Sequence, residues 1–156
     1  MKDYGEPNLT APFDMNFTVA LNMEILDEKM FPEYGSEGAS GLDLRAREAV
    51  YLKPGETRKV GTGVKVEVPK DFSLFIFPRS SSKFRMTNTV GLIDPDYRGE
   101  VFVKMTNPTS DYIVIEAGDR IVQAVLIETP KIHINQVASL SETERGEGGF
   151  GSTGDK

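Results

Sequence analysis

An all-β, jelly-roll-like sandwich is the fold this sequence predicts, on three observations. Apolar and polar residues alternate with period two, β-branched and aromatic residues gather in short runs, and clusters of Gly, Pro, Asn and Asp separate those runs. Residues 1–16, with Gly5, Pro7 and Pro12, show neither pattern and are expected to form a loose N-terminal arm. Phe17, Val19, Leu21, Met23 and Ile25 then alternate with Thr18, Ala20, Asn22 and Glu24, which predicts a first strand with one dry and one wet face. After the turn Lys53-Pro54-Gly55-Glu56, a second alternating set places Val64, Val66 and Val68 against Lys65 and Glu67. Pro69-Lys70-Asp71 turns the chain into the run Leu74-Phe75-Ile76-Phe77, and a short helix is expected around Ser81-Ser82-Lys83-Phe84. The series continues with Val101-Phe102-Val103, the turn Asn107-Pro108-Thr109-Ser110, Ile113-Val114-Ile115, the turn Glu116-Ala117-Gly118-Asp119, and the run from Ile121 to Ile127. Ile132-His133-Ile134 alternates again and puts His133 in a strand with no catalytic part. The β domain is therefore expected over 17–140, with a mobile C-terminal tail over 141–156.

Composition narrows the chemistry. A chain of 156 residues suits one domain, and the lack of cysteine excludes disulfides, thiolate metal sites and cysteine nucleophiles while fitting a reducing cytosol. No apolar run reaches membrane-spanning length, and Met1-Lys2-Asp3-Tyr4-Gly5 lacks the basic and apolar regions of a signal peptide. A cytoplasmic protein without membrane contact is the expectation, in its own cell or, for a viral or phage protein, in a host. The formal charge of −6 argues against a sequence-independent grip on nucleic acid. A polyanion must be met locally, and Arg79, Arg98, Arg120 and Arg145 all lie beside glycine- or hydroxyl-rich stretches.

Five stretches carry more chemistry than turns require. They are Ala39-Ser40-Gly41-Leu42-Asp43-Leu44-Arg45-Ala46, Pro78-Arg79-Ser80-Ser81-Ser82, the segment from Asn88 to Glu100, Gly118-Asp119-Arg120-Ile121-Val122-Gln123, and the tail from Arg145 to Lys156. The tail sets one ring, one guanidinium and two hydroxyls on a glycine backbone that cannot bury itself, so it reads as a nucleotide lid or as a frayed end. Arginine grips phosphate, glycine amides approach it closely, and Phe150 offers a face to a base. Asp94, between Leu92-Ile93 and Pro95, is either a turn carboxylate or a base for a water. Asn88 has the paired donor and acceptor a uracil edge requires, and equally suits a turn. Tyr97, on its residue type alone, reads as a ring packed in the hairpin. Arg79 with Ser80, Ser81 and Ser82 reads as a phosphate cradle or as a capped helix start beside a surface arginine.

In order and spacing these five motifs resemble the homotrimeric dUTPase family, across roughly residues 20 to 154. The resemblance implies hydrolysis of dUTP to dUMP and pyrophosphate, limiting uracil in DNA and supplying dUMP for dTMP synthesis. It implies that Asp94 activates the water that attacks the α-phosphorus, and that Tyr97 lies against C2′ and excludes ribose. Asn88 and the hairpin backbone, Gly91 included, would read uracil, while Arg79, Ser80, Ser81 and Gln123 would contact the phosphates. Asp43 would position an arginine and a metal-bound water, and Arg98, Asp119 and Arg120 would act as salt-bridge scaffolding. Mg²⁺ would be held by the phosphates and waters, with no direct protein ligand. Phe150 would stack on uracil while Arg145, Gly151, Ser152 and Thr153 close on the phosphates of a neighbouring subunit's site, three chains forming three sites. One departure stands out: fewer residues separate Ser80 from Asp94 than in the family, which shortens Lys83-Phe84-Arg85-Met86 and leaves the offset from Asn88 to Asp94 intact.

A dCTP deaminase shares this fold and the Arg-Ser-Ser and Ile-Asp-Pro patterns, but needs a glutamate where this chain has Lys104. A non-catalytic dUTP-binding regulator would be expected to have lost Asp94 or the tail's arginine and ring, and all are present. Deleting residues 145–156 is expected to leave a folded oligomer, by gel filtration, whose pyrophosphate release falls about a hundredfold.

Overall fold

The computed structural model describes residues 19–80 and 82–149. The expected N-terminal arm therefore lies outside the described residues. Eleven strands appear in this part: β1 (Asn22–Ile25), β2 (Glu33–Tyr34), β3 (Leu42–Arg45), β4 (Val50–Leu52), β5 (Thr57–Glu67), β6 (Phe72–Pro78), β7 (Arg85–Met86), β8 (Gly91–Ile93), β9 (Glu100–Thr106), β10 (Ile113–Ile115) and β11 (Arg120–Glu128). They form a four-stranded sheet in the order β1-β5-β9-β7, a five-stranded sheet in the order β2-β3-β11-β6-β8, and the pair β10-β4. Neighbours run antiparallel throughout. Among the described residues no helix is long and apolar enough to cross a membrane.

The alternation read from the sequence does its expected work in β5, where Val64 and Val66 are buried and Lys65 and Glu67 point outward. These valines join Leu44, Leu74, Ile76, Val101, Ile115 and Ile121 in one core drawn from all three sheets. β1 is shorter than the expected strand. Its described pairing starts at Asn22, opposite Glu67, because β5 gives way there to Val68-Pro69 and proline has no amide for a ladder.

Two expectations are corrected. Residues 82–84 form no helix. The amide of Ser82 closes a tight turn on the Arg79 carbonyl (3.2 Å), Phe84 is buried, and Arg85 is already paired with Thr106, so no length remains for a helical turn. The one helical turn among the described residues is a 3-10 turn at Glu28–Met30, where the side chain of Asp27 accepts the amide of Lys29 (3.0 Å). The second correction concerns 132–134, which belong to no strand: Ile132 and Ile134 are 88% and 84% exposed, and no edge among the described residues pairs with them.

The turn at Asn107 shows how a polar residue is accommodated inside this sandwich. Fully buried, Asn107 donates from Nδ2 to the carbonyls of Leu52 (3.0 Å) and Asp111 (2.7 Å), and its Oδ1 accepts from the amide (2.9 Å) and hydroxyl (2.8 Å) of Thr109. Its backbone exchanges bonds with Gly55 and Glu56, so one residue ties together β4, the 53–56 turn and the loop after β9. Asn107→Ala strands several of these partners and is expected to cost about 2–4 kcal/mol, read as a lower urea midpoint with unchanged slope.

Candidate functional site

The first cluster is built around a buried carboxylate. Asp43, on β3, lies opposite Gln123 of β11, and Arg120 opens β11 while Arg79 follows β6. Oδ1 of Asp43 receives Nε of Arg79 at 3.0 Å, and Oδ2 receives the Arg120 guanidinium at 3.2 Å. Asp43 is only 5% exposed, so its charge needs both partners. Arg79 donates further to the Arg120 carbonyl (3.3 Å), and Gln123 donates to the Pro78 carbonyl (3.1 Å). Gly41 makes room for Gln123, since a Cβ there would come within 3.0 Å of the Gln123 Cβ. The result presents two cations for one anion at the end of the sheet, an arrangement suited to phosphate. Ser80 is exposed next to Arg79, and Ser82 lines a cleft of about 320 Å³ with Arg79, Lys83, Asp119 and Arg120. Asp119 makes no ion pair among the described residues; its carboxylate accepts the amide of Glu116 (2.9 Å) and fixes the turn entering β11.

The second cluster is the hairpin that carries Asp94. Strand β8 pairs with β6 through Gly91↔Ile76 and Ile93↔Leu74, and Asp94 follows directly, exposed at the mouth of a turn closed by the Tyr97 amide on the Asp94 carbonyl (3.2 Å). Asp94 opens onto a cleft of about 420 Å³ lined by Lys70, Asp71, Phe72, Pro95, Asp96, Thr129 and Lys131. The hydroxyl of Tyr97 donates to the Glu100 carbonyl (2.8 Å), and the ring folds over Gly99, where a Cβ would stand 2.6 Å from its Cζ. Only glycine permits that approach. Asn88 is exposed and lines a separate cleft of about 260 Å³ with Gly91, Leu92 and Lys104.

One chain does not bring the two clusters together. Asp94 follows Ile93, which faces Leu74 near the start of β6, whereas Arg79 follows the other end of that strand. Six residues at about 3.3 Å each put them roughly 20 Å apart. Asp43, Arg79, Arg120 and Gln123 form one cluster and Asp94, Tyr97 and Arg98 the other, while Asn88 and Gly91 line a cleft of their own. Arg145 joins neither among the described residues: its Nε donates to the carbonyl of Gly148 (2.9 Å) in a local turn. Ser81, Phe150, Gly151, Ser152 and Thr153 lie outside the described residues. Sequence reasoning missed Lys70 and Lys131 beside Asp94, which no motif contains, and Glu67, which reaches Arg98 from β5 (3.2 Å).

The dUTPase family model matches residues 27–154. The chain belongs to the dUTPase family. Among curated dUTPases, the deoxyuridine 5′-triphosphate nucleotidohydrolase of Nautilia profundicola is 42% identical over 131 residues, covering 81% of this chain and 92% of that protein. The enzyme of the same name from Rhizobium etli is 40% identical over 152 residues, covering 92% and 96%. Among solved dUTPases, that of Staphylococcus bacteriophage 80alpha with dUpNHpp superposes with a TM-score of 0.79 at 27% identity, covering 88% of this chain and all of that one. The dUTPase of Streptococcus mutans gives a TM-score of 0.68 at 32% identity, covering 71% and 98%.

Because Asp43 serves two arginines from a buried position, Asp43→Ala is expected to destabilise this dUTPase by about 2–4 kcal/mol, while Arg120→Ala, which leaves Asp43 its bond to Arg79, costs less. Urea denaturation of the two variants side by side checks the order.

Proposed function

We propose that this dUTP diphosphatase breaks the bond between the α- and β-phosphates with a water held by Asp94, at sites each assembled from more than one chain. The observation that carries the reading is the division of the site residues between two ends of β6. An α-phosphorus beside Asp94 and a phosphate chain on Arg79 and Arg120 cannot be served by one chain whose two halves stand roughly 20 Å apart. A neighbouring copy, turned about a threefold axis, supplies the missing half. The exposed Ile132, Ile134, Val137 and Leu140 support the same reading, because a segment with that much uncovered apolar surface needs a partner to cover it. The tail that follows then falls to a neighbour's site, where Phe150 stacks on uracil and Arg145, Gly151, Ser152 and Thr153 close over the phosphates.

In the step itself, the Asp94 carboxylate takes a proton as the water oxygen bonds to the α-phosphorus, and pyrophosphate leaves with the electrons of the broken P–O bond. Arg79, Ser80, Ser81 and Gln123 bind the phosphate chain, with Asp43, Arg120 and Asp119 holding the cluster in place. The Asn88 amide and the backbone at Gly91 accept uracil and refuse cytosine, whose amine would leave buried groups unpaired. Tyr97, braced by Gly99 and Glu100, leaves no room for a 2′-hydroxyl. Mg²⁺ fits as an ion carried by the triphosphate, since both oxygens of Asp43 are engaged by arginines, and it supplies charge neutralisation when bound. The deaminase reading is disfavoured at Lys104, which faces Lys59 across the β5–β9 pair and offers a cation where a proton-shuttling carboxylate is required.

Asp94→Asn is expected to keep the fold and dUTP binding and to lower kcat by about 10² to 10⁴. Near-normal turnover removes Asp94 from the base role. Mixed oligomers refolded from Asp94→Asn and Arg79→Ala chains are expected to regain about a quarter of wild-type activity, because random mixing of two singly damaged chains rebuilds one intact shared site in four. No recovery above the separate variants sinks the shared-site reading.

A further inference from the structure

We propose that Glu67 is a positioning residue for hydrolysis, acting through Arg98 on the turn that carries Asp94 and Tyr97. The inference rests on the reading of Asp94 as the base. The turn from Asp94 to Tyr97 projects from the sheet and has little packing of its own: Asp94, Asp96, Tyr97 and Arg98 are all exposed. Its shape is set by one guanidinium. Arg98 donates from one nitrogen to the carbonyls of both Pro95 (2.6 Å) and Tyr97 (3.0 Å), spanning the turn from behind. Its other terminal nitrogen reaches Oε1 of Glu67 on β5 (3.2 Å), and Oε2 of Glu67 accepts from the side-chain amide of Asn22 on β1 (2.9 Å).

A chain of contacts thus runs from the regular β1–β5 ladder to the Pro95 and Tyr97 carbonyls of the turn that follows Asp94. Asn22 and Glu67 are themselves register partners in that ladder, so the anchor is a fixed point of the sheet. The Asn22 amide and then the Arg98 charge hold the Glu67 carboxyl below its ordinary range, so it stays an anion over the whole neutral range. An exposed ion pair of this kind contributes little to global stability. Its value lies elsewhere: it holds a forked donor in the one orientation that grips two carbonyls, and with them a carboxylate whose distance to a water sets the rate. Asp94 lines one cleft with Asp96 and Lys131, and Arg98, Glu67 and Asn22 line a neighbouring one, the two sharing Lys70 and Pro95.

The experiment is a double-mutant cycle in the full-length oligomer, with Glu67→Ala, Arg98→Ala and the pair, measuring kcat and KM for dUTP and the dUTP:UTP ratio. Arg98→Lys, which keeps the charge but has no second nitrogen to reach Glu67 while holding the carbonyls, replaces Arg98→Ala if the latter does not fold. Glu67→Ala is expected to lower kcat roughly tenfold with a smaller change in KM, and to relax discrimination against UTP because Tyr97 rides on the same turn. In the Arg98 background, removing Glu67 should cost nothing more. Glu24→Ala, which breaks a comparable exposed pair with Lys65 (3.0 Å) on the same strands without touching the turn, should leave the kinetics at wild type. A folded Glu67→Ala enzyme with normal kcat overturns the proposal, as does a loss of equal size with and without Arg98. Asp94→Asn measured alongside separates the two readings: rapid turnover there removes the base assignment, whereas the cycle alone decides whether Glu67 acts through Arg98.

Discussion

Seven consecutive backbone pairs between β11 and β6, from Val122↔Pro78 to Glu128↔Phe72, hold the five-stranded sheet in register, and the site depends on that register more than on any single contact. It sets Gln123 level with Asp43 on one side and with Phe77 on the other, and so brings β3, β6 and β11 to a common end where Asp43, Arg79 and Arg120 meet. A slip of one residue would turn Gln123 to the opposite face and move the core residues Val122 and Ala124 into solvent. Core and site are therefore specified by the same ladder. β6 then carries the information across to β8, placing Asp94 through Leu74↔Ile93.

Polar groups inside the sandwich follow the same economy. Thr62 donates its hydroxyl to the Val101 carbonyl (2.8 Å), Ser73 shares a hydrogen bond with Thr129 (2.9 Å), and Asn107 spends its whole amide on neighbouring backbone. Among the described residues no buried side-chain nitrogen or oxygen is left without a partner. Among the described residues Asp43 is the one buried carboxylate, and it lies at the candidate site between two arginines. Exposed pairs such as Glu56 with Arg58 are ordinary surface contacts by comparison.

The long strands were legible in the sequence because burial on one face writes a period of two, as Val64, Val66 and Val68 show. Pieces of two or three residues such as β2, β7 and β8 are too short to carry a period, and only the motif around Asp94 drew attention to β8. The serine run at 80–82 looked like a helix start because serine caps helices, yet it also suits a tight turn, and the burial of Phe84 decided between them. At 132–134 the alternation was real, but no covering surface lies among the described residues. Asp94, Arg79 and Asp43 could be singled out as candidates from motif order. Their separation could not, because distance along a sheet comes from pairing register rather than from spacing in the chain. The bond from Glu67 to Arg98 was hidden for the same reason, with 31 residues between its ends.

β6 can also be seen as a ruler. With Arg79 just past one end and Asp94 level with the other, its length sets how far apart these two side chains lie. Lengthening the strand by a residue pair would preserve the alternation and the core, and would still move Arg79 away from Asp94 by about 7 Å. If the sites are shared between chains as proposed, the number of residues in this strand is constrained by geometry beyond the chain itself, and drift in its length is closed off even where its packing would tolerate the change.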